Sequence, residues 1–208
     1  MFELIQKAGP IIYPIFLCSI IAFAIILERI YYLRKVRIDA VAFMSNIEAA
    51  IKRNKIAEAV KICEDIKSPI AAIVKAGILK HDRPRQEMRE AIEDAGHQEI
   101  PYLEKNIKIL ATIAQISPLL GLLGTVVGMT KSFQVIQAKT IAFNPVSSGD
   151  LAGGIWEALL ATAAGLIVAI PVIVSYHYLT AKVRGIVLEM ERSATELINI
   201  MSQRVEGY

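Results

Sequence analysis

Residues 151–180 read LAGGIWEALLATAAGLIVAIPVIVSYHYLT, and this run decides the fold. It holds one acid, Glu157, and neither lysine nor arginine ahead of Lys182. A helix needs roughly 20 apolar residues to cross about 30 Å of hydrocarbon. In lipid every backbone N–H and C=O must find its partner inside the segment, so such a run must be helical. Two earlier runs pass the same test, one within residues 1–28 and one within 109–137. Pro10 and Pro14 fall in the opening turns of the first, where proline is tolerated. Pro118 and Pro171 lie inside the other two, and each predicts a local bend. The fold class expected is therefore all-α, with three membrane-spanning helices.

Bulk composition agrees. Hydrophobic residues make up 54% of the 208 residues, and mean hydropathy is +0.47. Soluble domains are roughly 45–50% apolar. A net charge of +3 argues against nucleic acid as a partner, because such binders carry a basic face and a pI above about 9. The first run lacks a small-x-small cleavage site and reads as a retained anchor. Cys18 and Cys63 lie in unlike surroundings, with no Cys/His metal spacing, and are expected to be reduced packing residues. HExxH, GxSxG, Walker and dinucleotide-binding motifs are all missing from the sequence, so neither an enzyme nor a cofactor or metal site is expected.

The basic residues set the topology. Arg29, Arg34, Lys35 and Arg37 follow the first run, Lys105 and Lys108 precede the second, and Lys182 and Arg184 follow the third. The positive-inside bias then puts the N-terminus outside and the C-terminus inside. Residues 29–108 become a cytoplasmic region, and 138–150 a short periplasmic loop bearing Lys139 and the turn residues Asn144 and Pro145. Within 29–108 the apolar positions Val41, Met44, Ile47 and Ile51 recur at helical spacing. Ser68-Pro69 reads as an N-cap followed by proline at the first helical position. His81-Asp82-Arg83-Pro84 breaks the chain before a charged helix from 85 to 99. Residues 181–208 carry the stripe Val183, Ile186, Met190, Leu197, Ile198 and Met201, an amphipathic helix that needs a surface to dock on.

Helical spacing also sorts the spans by face. Gly154, Glu157, Ala158, Ala161, Thr162, Gly165 and Ala169 share one broad face of the third span, and Leu159, Leu166 and Ile170 lie opposite. In the second span, Ser117, Gly121, Gly124, Thr125, Gly128 and Ser132 share a face. Small residues let helix backbones approach closely in lipid, so the two faces are expected to pack or to line a shared cavity. Glu157 is the anomaly. A carboxylate in hydrocarbon costs at least about 2.5–3.5 kcal/mol, and the third span offers it no base. It is expected to sit near the outer edge, to face a cavity, or to hold a proton, since desolvation favours the neutral acid. A proton relay with Thr125 and Thr162 is one reading of it; hydrogen-bonding glue between helices is the other.

The pair of motifs 121–129 (GLLGTVVGM) and 154–166 (GIWEALLATAAGL) resembles the MotA/TolQ/ExbB proton-channel family, and ExbB/TolQ in particular. The three-span layout extends the likeness over the chain; flagellar MotA-type stators have four spans. The resemblance implies a homo-oligomeric ring, a pentamer, in the bacterial inner membrane around single-span helices of an ExbD- or TolR-like partner. It implies that proton flow drives that partner, with force passed to a TonB- or TolA-like protein. It makes Glu157 the membrane glutamate and Thr125 and Thr162 the polar pore-lining threonines. TonB-type energising of outer-membrane transport is the leading expectation. A TolQ-type role in envelope maintenance, a sodium channel and a non-conducting scaffold are the alternatives.

Overall fold

The structure, a computed structural model, describes residues 9–141, 145 and 147–206. The expected turn at Asn144, and residues 1–8, lie outside the described residues. Among the described residues seven helices follow one another: α1 (Ile12–Val36), α2 (Ala40–Lys52), α3 (Ile56–Asp65), α4 (Pro69–Ile78), α5 (Arg85–Glu104), α6 (Ile107–Ile141) and α7 (Ser148–Glu206). Among the described residues there is no strand. Three helices among the described residues are long and apolar enough to cross a membrane, and they correspond to the three runs named above. The protein is an all-helical membrane protein.

The chain divides into two compact units, Met1–Glu28 with Asn106–Tyr178, and Arg29–Lys105 with Leu179–Tyr208. The first is the apolar unit. Tyr13, Phe16, Ile20, Phe23, Leu119, Leu122, Ile167 and Ile170 all stand exposed on its helices. Water would penalise each such side chain by about 1.5–3 kcal/mol relative to burial. A bilayer removes that penalty, so the unit makes sense only in lipid.

The second unit is built like a soluble bundle. Met44, Ile47, Ile51, Ile70, Val74, Ile78, Leu103, Leu179 and Leu197 are almost fully buried. Helix α2 packs on α3, α3 on α4, and α4 on α5. The helix ends are set by local chemistry. Asp39 caps α2, its carboxylate accepting from the N–H groups of Val41 and Ala42 at 3.1 Å each, a contact worth about 1 kcal/mol. Asn54 and Asn106 take left-handed φ of 59° and 61°, which lets α2 stop before α3 and α5 stop before α6. Asparagine tolerates that region better than most residues. Ser68 stands at the N-cap of α4 with Pro69 behind it, yet its hydroxyl makes no cap bond and is buried without a partner.

Arg29 is 3% exposed rather than standing at an interface. Its guanidinium donates to the Tyr102 carbonyl at 3.0 Å and lies 4.8 Å from the centre of the Tyr32 ring. Tyr102 is in the last turn of α5, where carbonyls lack helical partners and the dipole end is negative. A buried cation therefore completes the C-terminus of α5.

Two segments run on further than their sequence reading. The charged helix expected over 85–99 continues through Pro101 to Glu104. Residues 151–180 and 181–208 read as two helices in the sequence, but 151–206 belong to a single α7. The physical reason is the lack of any stop signal near 180: no proline follows Pro171, and Gly185 does not take the left-handed φ of a helix-ending glycine. What changes along α7 is its surroundings. Val183, Ile186, Met190, Leu197 and Met201 are buried.

Two tests follow from the second unit. A Cβ on Gly77 would lie 2.6 Å from Leu197 and 2.8 Å from Ile92. Gly77→Val is expected to destabilise it by about 1–3 kcal/mol through overpacking. Gly96→Ala, with nothing within 4 Å, is expected to gain up to about 1 kcal/mol of helix propensity; thermal unfolding by circular dichroism in detergent reads both. Burial raises the Cys63 thiol from 9.0 to about 11, against a lowering by Lys75 and with a smaller raising by Glu64. The folded protein should therefore hold about a hundredfold less thiolate there at pH 8 than an unshifted thiol. Mass spectrometry of the Cys63 peptide after iodoacetamide treatment should show slow alkylation that accelerates as pH climbs toward 11, and fast alkylation after denaturation.

Candidate functional site

The site grows out of one interface in the apolar unit, between α6 and α7. Ser117, Gly121, Gly124, Gly128 and Ser132 are buried on α6, and Ala158, Ala161 and Gly165 on α7. Their order along the two helices is opposite, as an antiparallel pair requires. Gly121 meets Thr162, Gly124 meets Ala161, Gly128 meets Gly154 and Ala158, and Gly165 meets Ser117. The approach is backbone to backbone. A Cβ on Gly128 would lie 2.7 Å from the Gly154 carbonyl oxygen, and one on Gly165 would lie 2.6 Å from the Ser117 carbonyl oxygen. A Cβ on Gly154 would overlap the Ser132 hydroxyl. Only glycine fits these positions, because the opposing atoms are main chain or short and cannot swing aside.

Close approach puts side-chain donors on the facing backbone. Thr162 Oγ1 donates to the Gly121 carbonyl at 3.1 Å. A carbonyl carries two lone pairs, so it can accept this bond beside its helical one. Thr125 behaves differently: its hydroxyl donates to the Leu122 carbonyl of its own helix at 2.6 Å, the local bond common for hydroxyls inside helices. The interface thus joins Thr162 to Gly121 and leaves Thr125 bonded within α6.

At one end of this interface stands Glu157, its side chain 18% exposed. Lys131 reaches it from α6, with Nζ 2.5 Å from Oε1. The sequence reading gave the acid no base because the third span has none. The structure shows that the base comes from the second span. Helix α6 continues to Ile141, so Lys131 is a helical residue one position from Ser132 on the packing face. Its spacing was the available signal: Lys131 lies three residues after Gly128 and seven after Gly124, at the edge of the small face. An antiparallel register then sets it opposite Glu157.

A third group closes on the carboxylate. Gly9, with φ +72°, comes so near that a Cβ there would overlap Glu157 Oε1. Both the left-handed backbone and the missing side chain are needed. Nothing in the spacing of the sequence links Gly9 to Glu157. Further along α6, the Ser117 hydroxyl is buried with no hydrogen-bond partner. Among the described residues no cluster of three His, Cys, Asp or Glu could hold a metal ion.

Comparison with known proteins bears on this same stretch. The sequence matches the MotA/TolQ/ExbB proton channel family over residues 65–192. It is 32% identical over 166 residues to a biopolymer transport protein, ExbB-like 3, of Synechocystis sp., covering 79% of this chain and 78% of that one. It is 31% identical over 201 residues to the Tol-Pal system protein TolQ of Haemophilus influenzae, covering 91% and 86%. It is 28% identical over 184 residues to a biopolymer transport protein ExbB homolog of Methanothermobacter thermautotrophicus; there the match covers 88% of this chain but 64% of the relative.

The interface makes a paired prediction. Gly128→Val forces a side chain into backbone and is expected to cost at least about 1–3 kcal/mol. Gly153→Ala, one position before Gly154 but with nothing within 4 Å, is expected not to destabilise the protein. Yield of monodisperse protein in detergent and its melting temperature separate the two.

Proposed function

Because the chain belongs to the MotA/TolQ/ExbB proton channel family, we propose that it is the channel-forming subunit of a proton-driven membrane motor of the ExbB/TolQ type. The observation that carries this reading is the placement of Glu157: one carboxylate in the third apolar run, paired with Lys131 at a helix interface made of glycine, alanine and threonine. In this reading Glu157 takes up and releases the proton, with Thr162 and Thr125 as polar groups along its path. Gly121, Gly124, Gly128, Gly154, Ala158, Ala161 and Gly165 keep the two helices close.

Several copies are needed. One acid per chain is not a path across about 30 Å of hydrocarbon. A homo-oligomeric ring, five copies by family resemblance, would gather the acids around the single span of an ExbD- or TolR-like partner, and that partner would act on a TonB- or TolA-like protein. The site would sit in a bacterial inner membrane, with the N-terminus periplasmic and the second unit cytoplasmic by the positive-inside bias. One charge falling through 100 mV releases about 2.3 kcal/mol, enough to bias a partner between two packings.

A second reading has its own support. An ion pair and an interhelical hydrogen bond are also what a non-conducting scaffold would use to hold α6 on α7. Glu157→Gln separates them. It keeps the shape and hydrogen-bonding capacity of the side chain but cannot exchange a proton. In the motor reading, proton-driven work, measured as energy-dependent uptake or envelope integrity in cells, falls by about a hundredfold, the scale of a lost proton-transfer group, while the variant still assembles. Full activity in Glu157→Gln would select the scaffold.

A further inference from the structure

We propose that Lys131 determines the ion specificity of the Glu157 site: its tethered ammonium occupies the place on the carboxylate that an alkali cation would need, so the site exchanges protons and excludes sodium. The inference rests on the channel reading above and adds to it the residue that keeps sodium off the carboxylate. Nothing in the family match assigns a role to Lys131.

The argument starts from what each ion requires. A sodium ion entering an apolar site must replace its water with several oxygen ligands. A proton needs one lone pair. At Glu157 Oε1 the space is already taken, by Lys131 Nζ on one side and by Gly9 on another, where even a Cβ would overlap the oxygen. A cation that must bring several oxygen ligands with it is crowded there. The negative charge that would bind sodium is already matched by Lys131 at 2.5 Å. A sodium ion would have to displace an ammonium that stays tethered close by, and would gain only an electrostatic contact in exchange, whereas a proton forms a covalent bond to the oxygen.

A proton avoids this conflict. It bonds to a carboxylate oxygen, and the ammonium, keeping its own three protons, swings away on its four-carbon stem. The Lys131 side chain is 45% exposed, so it has somewhere to go. When the proton leaves, the ion pair forms again. One proton enters, one leaves, and Lys131 stays charged throughout. Lysine suits this better than arginine, because its point charge moves freely and makes no rigid bidentate fork.

The test needs neither partner nor flux. The full-length chain is purified into nanodiscs, and choline chloride is exchanged for sodium chloride at fixed pH and ionic strength. Infrared difference spectroscopy follows the carboxylate stretch. Wild type is expected to show no sodium-induced band that Glu157→Gln removes. Lys131→Gln is expected to gain a band, and Lys131→Gln with Glu157→Gln to lose it. Lys131→Arg, which keeps a tethered cation, is expected to behave as wild type. A Glu157-dependent sodium band in wild type would overturn the proposal without recourse to any Lys131 variant. So would a well-folded Lys131→Gln protein that gains no band. A fully active Glu157→Gln protein would defeat the channel reading instead, and leaves the infrared result intact.

Discussion

The contact between α6 and α7 through missing Cβ atoms is the constraint on which the apolar unit depends. In lipid, burying apolar side chains between helices gains little, because the tails are just as apolar. What remains is dispersion between backbones that can come very close, and hydrogen bonds that closeness permits. Gly128 against the Gly154 carbonyl and Gly165 against the Ser117 carbonyl set the separation. That separation lets Thr162 reach Gly121. It also fixes the register in which Lys131 stands opposite Glu157. A slip of one residue would turn these side chains about 100° away from one another, so packing and electrostatics have to be solved together.

The second unit obeys different physics. Its helices bury isoleucine, leucine and methionine from water, and their ends are finished by Asp39, Asn54, Asn106 and Arg29. Arg29 shows how the two regimes meet in one residue. In the sequence it is the first positive charge after an apolar run and serves the topology argument. In the structure it is buried, bonded to Tyr102 and close to the Tyr32 ring. A desolvated cation is costly unless it is paired, and a helix C-terminus rich in unpaired carbonyls offers it a partner.

Much of this was legible in the sequence because the relevant signals are periodic. Run length marked the three spanning helices, and the i, i+3, i+4 spacing grouped the small residues of each span. The stripe from Val183 to Met201 announced a buried face. What could not be read was anything that depends on register between segments distant in sequence. Spacing within α7 leaves Glu157 alone, since its cation comes from another helix. Thr125 and Thr162 look alike in the sequence, and only the interface turns one inward and the other onto its own helix. The boundary drawn at 180 followed a change in hydropathy, which reports surroundings and says nothing about backbone continuity.

Gly9 carries the least chemistry of any residue at the site, having no side chain, yet it touches the one acid of the third run from 148 positions away in the chain. A survey that weighs residues by the reactivity of their side chains would pass over it. Its contribution is vacancy: a left-handed turn and an unfilled volume that leave room for a carboxylate. Sequence drift in the segment before α1 is therefore not free. Whatever precedes the helix must still deliver a glycine to that spot, and a reporter group attached there would crowd the acid itself.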